Sequence, residues 1–238
     1  MGKNSYNVED DGKTYRILPS QRLGVAGLGF LSTLVLYMNR VNMGIALVCM
    51  TEGSEDSNGN NTNVTASPGS EPEFDWDSSL QGFILSSFFI GYLLTQIPTG
   101  WIIPKYKASA KWLLLGGNLI VTLISFLSPT AARGGWGYLV ALQILKGMAS
   151  GVVYPSLQQI ITLWAAPSER SRLNSLAVSG AALGSVITFA SSGFLCDDGF
   201  AGGWPSIFYT YAICALVWAV IWIIFVTDNP GNHHFISE

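Results

Sequence analysis

Charged side chains are scarce in this sequence. Lys, Arg, Asp and Glu together make up 11% of the 238 residues, whereas a soluble domain usually carries about a quarter. The long apolar stretches contain no Asp, Glu or His, and both histidines, His233 and His234, lie in the C-terminal tail. An intramembrane enzyme or metal site needs such groups, and the HExxH and GxSxG patterns are absent as well. We therefore expect no enzyme, no catalytic residue, no metal site and no cofactor.

Other absences narrow the function further. The chain offers no Gly-rich phosphate loop and no basic face for nucleic acid, so nucleic acid is not an expected partner. Three cysteines give no disulfide framework. Cys49 and Cys196 would both lie near the outer ends of apolar runs, so a bridge between them is one alternative; three free thiols are the preferred interpretation.

The sequence does contain six long apolar runs. A run of about 20 apolar residues spans a bilayer, and the six are Leu23–Met50, Leu80–Pro104, Trp112–Leu127, Tyr138–Trp164, Leu173–Cys196 and Trp204–Val226. They predict an all-α, multi-pass membrane protein with six transmembrane helices, in contact with the lipid bilayer. The expected organisation is a tail at 1–22, a six-helix bundle at 23–227 and a second tail at 228–238.

Lysine and arginine set the expected orientation. They crowd into the N-terminal tail and the second and fourth loops, whereas the opposite side has only Arg133. The positive-inside rule therefore places both termini in the cytosol. The loop 51–79 then falls outside the cell or in a lumen, and its acceptor motifs at Asn60 and Asn63 predict glycosylation.

Arg40 is the deepest charge in the predicted bundle. It lies about ten residues, or roughly 15 Å, from the outer end of its helix, which is too deep for easy snorkelling. Asn39 and Asn42 could face a wet interior beside it. No acid lies in these helices, so the natural counter-charge is an anion that binds and leaves. The favoured interpretation is contact with a substrate or coupling ion; the alternative is a structural arginine bonded to backbone carbonyls.

A polar stripe on the fourth helix adds to this site. Its spacings of three, four, four and four place five side chains on one helical face: Gln143, Lys146, Ser150, Tyr154 and Gln158. Such a face should line the bundle interior or a water-filled cavity. Snorkelling toward the outer side remains an equal alternative for Lys146. Glycines four residues apart, in the pairs 147/151 and 180/184, are typical of close helix packing.

Several segments resemble the anion/cation symporter family within the major facilitator superfamily, which holds sialin, vesicular glutamate transporters and type I sodium–phosphate cotransporters. The first is "SSFFIGYLLTQIPTGWI" at Ser86–Ile102; others are "RVNMGIAL" at Arg40–Leu47 and "GVVYPSLQQIITLWAAPSERSRL" at Gly151–Leu173. "GWPSIFYTY" at Gly203–Tyr211 and "DNPGNHHFIS" at Asp228–Ser237 are also similar. The resemblance implies the N-terminal half of a twelve-helix fold, built as a 3+3 inverted repeat.

The resemblance also implies roles for single residues. Arg40 matches the family arginine implicated in binding the anion. Ser150 stands where sialin-like and glutamate-carrying members have a glutamate tied to proton coupling; Gln158 replaces a frequent histidine and Gln143 an arginine of the glutamate carriers. Lys146 stands where the family more often has Gln or Glu. These departures favour a symporter of inorganic phosphate or organic anions, coupled to Na+ or H+, over a glutamate carrier.

The similarity ends where the central loop of such carriers begins, so we expect a fragment, a truncated product or a splice form. Transport would then need a C-terminal half or a second copy as partner, with an anionic small molecule as substrate. The alternative function is a non-transporting or regulatory membrane protein derived from such a carrier. The expected location is the plasma membrane or an endolysosomal or vesicular membrane.

Overall fold

A computed structural model of the chain describes most of the bundle. The described residues are 6–10, 13–17, 19–51, 74–106, 109–165, 167–197, 199 and 203–226. The two acceptor asparagines of the long loop and the tail from 228 onward lie outside the described residues.

Six helices carry the apolar runs. They are α1 (Pro19–Thr51), α2 (Ser78–Tyr106), α3 (Ala110–Gly134), α4 (Trp136–Trp164), α5 (Arg170–Asp197) and α6 (Pro205–Phe225). Each contains a segment long and apolar enough to cross a membrane, because the runs reach the length that a bilayer requires. The prediction of six spanning helices is therefore confirmed. We call the side that holds the start of α1 the N-terminal face.

Two local features differ from the sequence-based expectation. The third apolar run ends at Leu127, but α3 continues through Pro129 to Gly134, because spanning helices tolerate proline and extend past the hydrocarbon. The N-terminal tail holds a short antiparallel hairpin of β1 (Tyr6–Asp10) and β2 (Lys13–Ile17), in which Tyr6 pairs with Ile17. The Asp-Gly pair between the strands in the sequence is a hairpin signal that the sequence reading did not use.

The helix pairs follow the symmetry of an inverted repeat. The largest interfaces join α2 to α4 and α1 to α5, and α3 packs on α4 and α6 while α6 also contacts α1. In an inverted repeat α1 corresponds to α4, α2 to α5 and α3 to α6. The α2–α4 contact then corresponds to the α5–α1 contact, and the α3–α4 contact to the α6–α1 contact. Because three crossings reverse the chain direction, the second triplet is inverted relative to the first.

Glycines allow these two largest interfaces. A Cβ on Gly180 would overlap the Phe30 carbonyl oxygen of α1, and one on Gly184 would overlap the Leu34 carbonyl oxygen. Gly147 stands in the same relation to the Phe88 carbonyl oxygen of α2. The glycines thus act as the small contact residues that let helices approach closely.

The close α1–α5 packing also corrects the cysteine assignment. Cys49 and Cys196 form a disulfide, with their Cα atoms 6.3 Å apart, which lies in the usual range for disulfides. The preference for three free thiols is therefore wrong, and Cys214, which is exposed, is the free cysteine. At the N-terminal face, the buried Arg22 pairs with Glu169 at 2.5 Å and ties α1 to the α4–α5 connection.

Candidate functional site

Arg40 lies near the middle of α1, with 11 positions separating it from the end of the helix at Thr51. Its guanidinium is surrounded by aromatic rings rather than by acids. Its Cζ atom lies 4.8 Å from the ring centroid of Phe88, 5.1 Å from that of Phe89 and 5.3 Å from those of Tyr37 and Tyr92. We call these four rings the aromatic box. Cations within about 6 Å of a ring face are stabilised by the ring quadrupole.

The hydrogen bonds of Arg40 are few. Its Nη1 donates to the Tyr37 hydroxyl at a long 3.4 Å, although a guanidinium has five N–H donors. Among the described residues no Asp or Glu side chain lies within ion-pair distance of Arg40, because the six helices contain no acid apart from Asp197 at the end of α5. The side chain is only half-buried, so its remaining N–H groups can receive a ligand.

A cavity of about 630 Å³ lies between α1, α2 and α4. It extends from Tyr37 in the middle of α1 toward the N-terminal face, where Ile103 and Thr162 lie near the ends of their helices. Three tyrosines, three glutamines and a threonine supply the polar part of its lining. The complete lining is Tyr37, Tyr92, Gln96, Gly100, Ile103, Tyr154, Pro155, Gln158, Gln159 and Thr162. Two rings of the aromatic box therefore also form the cavity wall.

The polar stripe of α4 divides into two parts. Tyr154 and Gln158 line the cavity, as a water-exposed stripe requires. Gln143, Lys146 and Ser150 are buried instead, and the Ser150 hydroxyl donates to the Lys146 carbonyl of its own helix at 2.7 Å. The structure thus places the stripe in the bundle interior but brings only its N-terminal-face half to the cavity.

Lys146 turns inward and does not reach the outer surface. The residue is 1% exposed. Its Nζ donates to Asn42 Oδ1 of α1 at 3.5 Å and lies 6.0 Å from the Phe208 ring centroid of α6. No carboxylate in the described part of the chain forms an ion pair with it. The Nδ2 of Asn42 is buried without an acceptor in the same region, so two donors meet there around a single acceptor.

Asn39 does not join Arg40. Neighbouring residues of a helix point about 100° apart, and Asn39 faces α6, where its Nδ2 donates to the Tyr211 carbonyl at 3.2 Å and to Val35 of its own helix. Its contacts are those of a residue that links two helices. The polar groups of α5 have a similar part, because the hydroxyls of Ser191 and Ser192 bond to the Tyr211 hydroxyl.

Sequence reasoning missed the aromatic box and two glutamines of the cavity wall. The box residues on α2 occupy positions 88, 89 and 92, a spacing that places 88 and 92 on one face. That spacing was the available signal, but hydropathy treats such rings as ordinary lipid-facing residues. Gln96, one further turn along, and Gln159 of α4 are the missed glutamines.

Comparison with known proteins agrees with this architecture. Residues 29–238 match the model of the Major Facilitator Superfamily. A putative inorganic phosphate cotransporter of Drosophila melanogaster is 39% identical over 88% of this chain and 41% of its own length. Sheep (Ovis aries) sialin is 37% identical over 92% of this chain and 45% of its own. The chain thus spans less than half the length of these curated relatives.

Solved structures show the same fold. The inward-open xylose transporter XylE from E. coli superposes with a TM-score of 0.64 at 17% identity, covering 88% of this chain and 49% of that one. At this identity the likeness concerns the fold alone. With six spanning helices, the inverted pairing and the matched sequence together, the chain belongs to the major facilitator superfamily and has the architecture of its N-terminal half.

Proposed function

We propose that this chain is one half of a secondary active transporter, a symporter that moves inorganic phosphate or an organic anion by alternating access. The observation that carries the proposal is Arg40: a half-buried guanidinium at the depth of the bilayer centre, without an acidic partner among the described residues and next to an open cavity. A cation at that depth is costly and usually marks a substrate or ion pathway.

The second group of donors supports an anion as the cargo. Lys146 and the amide of Asn42 form a buried, positively charged pair, which lies farther from the N-terminal face than the cavity does. An anion that approaches Arg40 from the cavity would be attracted by both cations, since charges interact strongly where water is scarce. Gln143 and Ser150, buried beside Lys146 on the same face, would take part as polar neighbours.

The coupling ion in this proposal is Na+ or H+. The described helices have no Asp, Glu or His inside a span, so these helices offer no ordinary proton-binding side chain. Sodium can be held by backbone carbonyl oxygens. The residue at position 150, where a coupling glutamate occurs in related carriers, is a serine, which favours sodium.

Alternating access needs a second body that moves against this one. The α2 and α5 spans are the least buried, with 22% and 28% of their windows inside the bundle. Their exposed faces are where we place a C-terminal half or a second copy. With both termini in the cytosol, the cavity would open to the cytosol, and the membrane would be the plasma membrane or a vesicular or endolysosomal one.

The test is uptake by the chain reconstituted in proteoliposomes. Labelled phosphate and labelled organic anions are offered under a sodium gradient or a proton gradient. We expect gradient-dependent accumulation that falls at least tenfold in Arg40→Ala, because losing one partner of a desolvated charge pair costs about 2–5 kcal/mol. Arg172→Ala is the matched control, since Arg172 is exposed at the start of α5.

Equal uptake by wild type and Arg40→Ala would remove Arg40 from the substrate site. Absence of accumulation for every anion under every gradient would show that the chain alone does not complete a carrier, and absence of Arg40-dependent anion binding as well would favour the alternative, a non-transporting or regulatory membrane protein derived from such a carrier.

A further inference from the structure

The aromatic box and the cavity form one continuous surface. Tyr37 and Tyr92 contact the Arg40 guanidinium and also line the cavity. Tyr154 continues the same wall, with its ring edge-on to that of Tyr37 at a centroid distance of 6.4 Å. A ligand whose anionic group binds Arg40 therefore has its remaining atoms against tyrosine rings. Aromatic rings prefer offset-stacked or edge-to-face partners.

The charge of the site suits one anionic group. Arg40 is the cation next to this cavity, and no lining residue is a Lys, Arg, Asp or Glu. Lys146 is not a lining residue; its Nζ lies against Asn42 Oδ1, on the side of the cavity away from the N-terminal face. At the cavity wall an amino acid's ammonium would meet no carboxylate, and a second carboxylate would meet no second cation.

The size and donors of the cavity fit an organic body. Pockets of about 300–1,000 Å³ hold organic ligands, and this one measures about 630 Å³. Phosphate sites usually present several backbone N–H groups or clustered cations. Here one guanidinium adjoins the cavity through Tyr37 and Tyr92, and the lining itself consists of tyrosine side chains, side-chain amides, one threonine and apolar groups.

Building on the proposed function, we propose that the substrate is an organic monocarboxylate with an aromatic ring. Its carboxylate accepts hydrogen bonds from the N–H groups of Arg40. Its ring lies against Tyr37, Tyr92 and Tyr154, and the amides of Gln96 and Gln158 bond to polar substituents on the ring. Inorganic phosphate and glutamate are then poor ligands, the first because it has no organic part to lie against the rings and no second cation lines the cavity, and the second because of its extra charges.

The experiment measures binding of labelled benzoate to the chain in lipid nanodiscs. Three competitors separate the contributions of the ring, the charge and the carbon skeleton to binding. Cyclohexanecarboxylate keeps the charge and size of benzoate but lacks the π-system. Glutamate carries additional charges, and phosphate has no carbon skeleton. We expect cyclohexanecarboxylate to bind about fivefold more weakly than benzoate, in line with the value of an aromatic pair. Glutamate and phosphate should bind at least tenfold more weakly.

Variants at Tyr154 test the ring contact. Tyr154→Phe keeps the ring and should retain the preference for benzoate over cyclohexanecarboxylate, whereas Tyr154→Leu should reduce it, since Tyr37 and Tyr92 remain. Phe83→Leu is the control, because Phe83 is an exposed phenylalanine of α2 outside the cavity lining. Retention of the full preference in Tyr154→Leu would overturn the proposed ring contact.

The outcomes also separate this inference from the proposed function. If phosphate or glutamate binds as tightly as benzoate and binding needs Arg40, the substrate class is wrong while the anion carrier stands. If none of the four anions binds, the substrate class is wrong; if, in addition, no anion accumulates in the uptake test, the proposed function falls as well.

Discussion

Gly147 of α4 packs directly against the α2 segment that carries Phe88 and Tyr92. The variant Gly147→Ala tests whether this contact positions the aromatic box. A Cβ at this position would lie 2.9 Å from the Tyr92 backbone nitrogen and 3.0 Å from the Phe88 carbonyl carbon, and it would overlap the Phe88 carbonyl oxygen. All these atoms belong to backbone, so no side chain can rotate away. The helices must separate along the segment that carries three rings of the aromatic box.

The expected cost follows from overpacking. Extra carbon atoms in a well-packed interior cost about 1–3 kcal/mol, with backbone overlaps at the upper end. For a chain of this length each 1 kcal/mol shifts the melting temperature by about 2–4 °C. We therefore expect a fall of about 6–12 °C in Gly147→Ala, together with weaker anion binding because Phe88 and Tyr92 move away from Arg40.

The assay is thermal unfolding in mild detergent, followed by anion binding at a temperature where both proteins are folded. Gly137→Ala is the matched control on the same helix, because a Cβ there meets nothing within 4 Å. It should leave the melting temperature unchanged or raise it slightly, since alanine is the better helix former. A melting temperature for Gly147→Ala equal to that of the control would refute the close α2–α4 contact.

Three further predictions concern other parts of the chain. Lys146→Met should raise the melting temperature by a few degrees and weaken anion binding, because it removes a buried charge without a carboxylate partner while keeping volume. Lys146→Gln should weaken anion binding equally. Unchanged anion binding in both variants would show that Lys146 has no role in the site. A thiol-reactive polymer should label one cysteine, Cys214, in the unfolded oxidised chain and three cysteines after reduction. Three labels without reductant would exclude the Cys49–Cys196 bridge. Loss of the bridge should lower the free energy of unfolding by about 2–4 kcal/mol. Replacing both acceptor asparagines of the long loop by Gln should increase gel mobility of the protein from eukaryotic cells to that of the glycosidase-treated wild type; unchanged mobility would show that neither is glycosylated.

The helices were predictable because a helix that spans the bilayer needs about 20 consecutive apolar residues, which a hydropathy profile detects. At their C-terminal ends, five of the six predicted runs stop within three residues of the end of the corresponding helix. The exception is α3, which continues through Pro129 to Gly134. The glycine pairs were predictable for a similar reason, since close packing requires small residues at fixed spacing. The disulfide was not, because it depends on how the α1 and α5 ends converge in space, which spacing along the chain does not contain.

The site was only partly predictable. The sequence indicates the depth of Arg40 and the absence of an acid, but not the direction of each polar side chain. Asn39 is adjacent to Arg40 in sequence yet bonds to α6, whereas Lys146 is far away in sequence and meets Asn42. The stripe of α4 shares one face along its length, but its burial changes from Ser150 to Gln158 because the cavity covers only part of the helix.

The aromatic box explains how Arg40 persists inside the bundle without a carboxylate. Insertion scales assign an arginine at the helix centre a cost of about 2.5–3.5 kcal/mol. Each cation–π contact contributes about 0.5–1 kcal/mol, so four rings offset about 2–4 kcal/mol, which is close to the whole cost. A carboxylate could do the same, but it would occupy the N–H donors that an anion needs. Rings stabilise the charge without accepting hydrogen bonds as a carboxylate would, so most N–H groups of Arg40 stay available to a ligand from the cavity.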